Sequence, residues 1–246
     1  MPPRPESRPL PALIAAALLL GGCAEKPDQE DSSTETDATT ATASDATATT
    51  AGSDAAITDA EDTEADCVTP AREAAVVIDN GVGELAGTML IPEGCAPFPV
   101  VVIHAGSGPT DRNGNSPLLA GQNDSLKQLA EALQARGIAT VRYDKRGVGE
   151  SVGALQRDVT ALRFEDYARD LELWIDAVGG DATFGEVTAL GHSEGALIAT
   201  VAAASTPPDR LISLAGAGRP APEVLREQLT ASLPEDLLAE ALAILD

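Results

Sequence analysis

The stretch Val187-Thr188-Ala189-Leu190-Gly191-His192-Ser193-Glu194-Gly195-Ala196-Leu197-Ile198-Ala199-Thr200-Val201-Ala202-Ala203-Ala204 decides how this chain is read. Its first four residues form a compact, mostly apolar run, the pattern of a strand buried on both faces. Gly195 to Ala204 are small and aliphatic, as in a helix packed closely against a sheet. Between them lies a G-x-S-x-G motif, Gly191 to Gly195. A strand that runs straight into a serine and leaves as a helix must turn sharply, and the two glycines remove the side chains that would crowd the turn. The same pattern occurs at Gly149-Glu150-Ser151-Val152-Gly153, but Ser151 lies eight residues past Tyr143, in a polar stretch with no compact helical run behind it. Ser193 is the candidate nucleophile; Ser151 reads as a loop residue.

Outward from that stretch the pattern alternates. Val100 to Ile103 is a continuous apolar run, followed by a Gly/Pro/Asn-rich loop. Ser125 to Arg136 carries Leu126, Leu129, Ala130 and Leu133 at helical spacing and stops at Gly137. Ile138 to Tyr143 reads as a strand. Phe164 to Val178 reads as a second amphipathic helix, with Tyr167, Leu171, Trp174 and Val178 on one face. Leu211 to Leu214 is a further strand. Strand–helix–strand repetition predicts right-handed crossovers and a mostly parallel sheet covered by helices on both faces, an α/β fold. Ahead of it, Ala74 to Ile78 and Glu84 to Ile91 flank Asp79-Asn80-Gly81, which predicts an N-terminal β-hairpin. Folding at that turn brings Cys67 near Cys95, one residue out of a two-residue-loop register, so a bulge or a three-residue loop is expected. In an oxidising compartment the pair predicts a disulfide worth about 3 kcal/mol, the alternative being two free thiols.

A second chemical element is Ala105-Gly106-Ser107-Gly108-Pro109, directly after the first core strand. Acyl transfer needs backbone N–H groups aimed at the oxygen that becomes negative. Glu194, following the candidate nucleophile, supplies one; Gly106 or Ser107 is the candidate for the other. The alternative is that these glycines only make a turn.

With these motifs in place, the chain resembles bacterial α/β-hydrolases of the serine-aminopeptidase-like group. The resemblance rests on A-G-S-G-P-T-D-R-N-G-N-S at 105–116, R-Y-D-K-R-G-V-G-E-S at 142–151, G-H-S-E-G at 191–195 and S-L-A-G-A-G-R-P at 213–220. It covers roughly residues 72–246 and implies hydrolysis of ester-type acyl bonds of a small-molecule substrate through a Ser–Asp–His triad; peptide hydrolysis of an aminopeptidase kind is the alternative. In that fold the chain order is serine, acid, histidine. The chain departs from this order, because its two histidines are His104 and His192. One precedes the loop after the first core strand, and the other adjoins Ser193 within the turn. After Leu214 only two helical stretches follow, around Pro222–Ala231 and Glu235–Leu245, which resemble the start of a cap at about 218–246. The expectation is that the last strands, with the acid and the histidine, are absent from these residues and that the chain is a fragment of a longer product. A bare Leu211–Leu214 edge supports that reading. The rival is a catalytically silent, lipid-anchored binding protein.

The N-terminal quarter has a different character. Arg4 and Arg8 precede the nine-residue apolar run Ala12–Leu20, too short to span a bilayer, and Leu20-Gly21-Gly22-Cys23 resembles a lipobox. Residues 1–22 are expected to be a lipoprotein signal peptide and Cys23 the lipidated residue, a plain secretory signal being the alternative. Residues 23–66 are rich in Ala, Thr, Asp and Glu, with Ile57 the one large aliphatic residue, and are expected to be a disordered acidic tether to a bacterial membrane. The hydrolase domain is assigned to 67–246. The formal charge is −23; residues 1–66 hold 14 acidic and 3 basic side chains, leaving 25 and 13 for the rest. No Lys/Arg surplus exists to neutralise phosphates, which argues against a nucleic-acid partner. No Rossmann fingerprint or P-loop is present, and no cofactor is expected. Asp111-Arg112-Asn113-Gly114-Asn115 places oxygens at alternate positions, but Ser116 stands where a calcium loop needs glycine, so the loop is expected to brace itself rather than hold metal. Asp144-Lys145-Arg146 is expected to form an ion-pair network anchoring its own loop. The residues leave the oligomeric state open.

Overall fold

A computed structural model of the protein describes residues 67–245. The expectations for residues 1–66, including Cys23 and the tether, lie outside that range. Eleven elements follow in chain order: β1 (Arg72–Asp79), β2 (Glu84–Ile91), β3 (Phe98–His104), α1 (Ser125–Gln134), β4 (Ala139–Tyr143), α2 (Phe164–Gly179), β5 (Phe184–His192), α3 (Glu194–Ser205), β6 (Arg210–Leu214), α4 (Ala221–Ser232) and α5 (Glu235–Ala243). Two short 3₁₀ segments, Gly149–Ala154 and Val159–Ala161, precede α2.

The strands form one sheet in the order β1-β2-β4-β3-β5-β6. The β1/β2 and β2/β4 pairs are antiparallel, whereas β4, β3, β5 and β6 run parallel. Alternation along the central strands divides the core into two layers. Val100, Val102, Val141 and Tyr143 face Leu171, Trp174 and Ile175 of α2 and Ile198 and Ala199 of α3. Val101 and Ile103 face Leu126 and Ala130 of α1. Helices therefore cover both faces, and burial on both sides explains why Val100 to Ile103 of β3 read as an unbroken apolar run. The topology and the packing give the mostly parallel α/β sheet that the sequence pattern predicts, in the α/β-hydrolase fold that the resemblance implies.

The hairpin differs from expectation in its loop. Asp79 pairs with Glu84, so four residues lie between the strands rather than three. The reason is the Asn80 side chain: its Oδ1 accepts the N–H groups of Val82 and Gly83, each at 3.0 Å, and closes a wider turn. Below the hairpin the Thr69–Gly94 bridge continues the ladder, and Cys67 and Cys95 are disulfide-bonded with Cα atoms 5.2 Å apart. At the opposite edge all five residues of β6 are exposed, Leu211, Ile212 and Leu214 at 42, 42 and 40%. Helices α4 and α5 pack on each other through Leu229 and Ala241.

Candidate active site

The turn between β5 and α3 is as tight as its glycines suggest. Ser193 stands at φ 55°, ψ −120°, a backbone conformation costly for any side chain. A methyl group on Gly191 would lie 2.0 Å from the Gly195 carbonyl oxygen, and one on Gly195 would lie 2.7 Å from the carbonyl oxygens of both His104 and Ala105. Only glycine fits either position. The Ser193 N–H donates to the Leu214 carbonyl at 2.9 Å, tying the strained residue to the end of β6. Glu194 begins α3, so its N–H has no partner within the helix.

The loop after β3 meets this turn directly. The position of an absent Gly106 side chain is 3.0 Å from His192 Nδ1 and 3.4 Å from Ser193 Cβ, so a larger residue there would push into the serine. Within the loop, the Thr110 hydroxyl donates to the Ser107 carbonyl at 2.8 Å. Lys145 Nζ donates to the carbonyls of Gly106 and, at 2.8 Å, Gly108. The Ser107 N–H makes no hydrogen bond among the described residues. The structure thus brings Ser193, Glu194, Gly106 and Ser107 to one place at the C-terminal ends of β3 and β5.

Neither histidine is arranged as a base. His104 is fully buried beneath the turn, its Nδ1 2.6 Å from the Tyr143 hydroxyl, and Nε2 has no partner among the described residues. Burial first, and the Lys145 charge second, push its pKa down to about 3. His192 is half-buried against the Gly106 loop, and burial lowers its pKa as well.

The charged triplet after β4 corrects the sequence reading in one respect. Asp144 and Arg146 are ion-paired as expected, with Arg112 at 3.6 Å and with Asp170 at 2.6 Å. Burial pushes the Asp144 carboxyl up, the Arg112 N–H and guanidinium acting against it. Lys145 joins no ion pair among the described residues; it crosses to the neighbouring loop, because β3 and β4 are adjacent and parallel. Burial lowers its pKa to about 8, with the charge of Glu194 acting in the other direction. The sequence reading also missed Asp170, a buried carboxylate on the core face of α2 that receives Arg146 through two nitrogens, at 2.6 and 2.7 Å. Its only signal is an acid directly beside Leu171 in the apolar stripe. Asp111 braces its own loop, its Oδ1 accepting from the N–H groups of Asn113 at 2.8 Å and Asn115 at 2.9 Å.

A serine presented at a strand–helix turn of this sheet marks the chain as an α/β-hydrolase. Residues 120–243, half of the chain, match the family described as serine aminopeptidase, S33, and the protein belongs to that family. Over 151 residues it is 32% identical to the esterase EstD of Thermotoga maritima, covering 61% of this chain and 35% of that protein. The chain thus spans about a third of the length of the curated relative it matches. Among solved structures it is similar to an α/β serine hydrolase without a lid from Xanthomonas campestris, at 29% identity, TM-score 0.46 and coverage of 62% of this chain and 65% of that one. It is also similar to a dienelactone hydrolase from Anabaena variabilis, at 25% identity, TM-score 0.47 and coverage of 65% and 68%.

Proposed function

We propose that the protein is a serine hydrolase of carboxylic-ester-type acyl bonds in small molecules, with Ser193 as nucleophile. The observation that carries this reading is the strained Ser193 backbone at a strand–helix turn that the Gly106 loop abuts, with the N–H groups of Glu194 and Ser107 making no hydrogen bond among the described residues. The Ser193 oxygen attacks the acyl carbon and its proton leaves to a base. The carbonyl electron pair moves onto oxygen beside those N–H groups, then returns as the alcohol departs with the proton. Water repeats the sequence on the acyl-serine. His104, buried and held neutral, and His192, within the turn itself, do not serve as that base. That same fact favours the second reading, a lipid-anchored protein that keeps the pocket for binding.

A fluorophosphonate probe separates the two. The complete protein, with the acid and histidine that these residues lack, and its Ser151→Ala variant are expected to be labelled, and Ser193→Ala is not. Labelling that survives loss of Ser193 would falsify the assignment, and an unlabelled parent would favour the binding reading. We also propose that residues 1–22 direct export, that Cys23 is lipidated, and that residues 23–66 tether the domain to a bacterial membrane. Cys23→Ala is then expected to move the protein from the membrane to the soluble fraction, and unchanged fractionation sinks the anchor.

A further inference from the structure

We infer that Lys145 is a positioning residue: by holding the carbonyls of Gly106 and Gly108 it aims the Ser107 N–H at the oxyanion formed on Ser193. This rests on the reading of Ser193 as nucleophile.

Three consecutive carbonyls of the loop have side-chain donors, those of Gly106 and Gly108 from Lys145 and that of Ser107 from Thr110 within the loop itself. In a trans peptide the carbonyl and the following N–H point in opposite directions. Fixing the Gly106 carbonyl on Lys145 therefore fixes the Ser107 N–H on the side away from it. The peptide so fixed is the one that abuts Ser193, since the space of a Gly106 side chain ends 3.4 Å from Ser193 Cβ.

The chemistry of Lys145 is unusual for a structural anchor. Its side chain is buried, 4% exposed, yet its partners are carbonyl oxygens and no carboxylate. Its neighbours Asp144 and Arg146, in the same loop, do find charged partners. Burying an ammonium without a direct ion pair is costly, and burial lowers its pKa to about 8 against the more distant charge of Glu194. The charge does something a neutral donor would not. It polarises the Gly106–Ser107 peptide from the carbonyl end and strengthens the N–H at the other end as a donor. A packing residue needs neither the charge nor the two-carbonyl geometry.

The test uses the complete protein, a fluorophosphonate probe and the Lys145→Met variant, which keeps an unbranched side chain one atom shorter and loses its donors. Removing one oxyanion donor typically costs 10²–10³ in rate; misaiming one is expected to lower kinact about 10- to 100-fold with KI within about twofold. The backbone amide resonance of Ser107 is expected to move in the same variant, while core amides such as that of Val102 stay in place. Lys145→Gln, whose shorter, uncharged side chain still carries an NH2 donor group, is expected to fall between the two and stands in should the methionine variant not fold. Unchanged kinact, or an unmoved Ser107 resonance, in a folded variant overturns the inference. If the parent chain itself takes no label, the proposed function falls, and the Ser107 resonance alone still decides what Lys145 does.

Discussion

Gly149–Gly153 and Gly191–Gly195 spell the same motif and do opposite things. In the second, both glycines make room for backbone, and the serine is forced to φ 55° with its neighbourhood open to the site. In the first, Ser151 has φ −90°, ψ 19° inside a 3₁₀ segment and is fully buried. Its Oγ accepts the Ala86 N–H of β2 at 2.8 Å, which ties the segment to the hairpin. A side chain on Gly149 would strike the Asp144 carboxylate at 2.3 Å, whereas Gly153 has open space around it. What packs beneath the glycines, rather than their spacing, separates a presented serine from a structural one.

That contrast can be pressed by comparing variants in denaturant with the disulfide intact. Gly191→Ala has the largest expected effect, a loss of about 3 kcal/mol or more, because its methyl group would lie 2.0 Å from backbone that cannot swing aside. Ser151→Ala is intermediate, about 1–3 kcal/mol, because it leaves the Ala86 N–H without its acceptor. Gly153→Ala is expected to stay within about 0.5 kcal/mol of the parent, with nothing within 4 Å of the added atom. Equal costs at Gly191 and Gly153 would remove the distinction between the two motifs.

The parts of the fold fixed by local pattern were legible in the sequence. The apolar run of β3, the helical spacing of α1 and α2, and the strand–serine–helix passage into α3 depend on neighbours within a few residues. What was not legible depends on partners far along the chain. The four-residue hairpin loop follows from Asn80, whose side chain also reaches Ala154 at 3.2 Å and Asp170 at 3.3 Å. Arg146 finds Asp170 on a helix 24 positions away, while Lys145, beside it, turns to a loop 37 to 39 positions back. Three adjacent charges look alike in a sequence, and only the sheet order separates their destinations. The burial of Ser151 is of the same kind, since its acceptor role serves a strand 65 residues earlier.

The bond from the Ser193 N–H to the Leu214 carbonyl gives β6, the last of the described strands, a hold on the chemistry. Strand β6 is exposed along its whole length, whereas Trp174 lies buried in the layer under α2. Segments with little burial open at lower free energy than the core. Fraying of β6 would free the turn to relax its strained backbone, so readiness to react would follow the local stability of that strand rather than global stability. In a denaturant series, labelling of Ser193 should then fade before Trp174 fluorescence changes; loss of both together would mean that edge and core open as one.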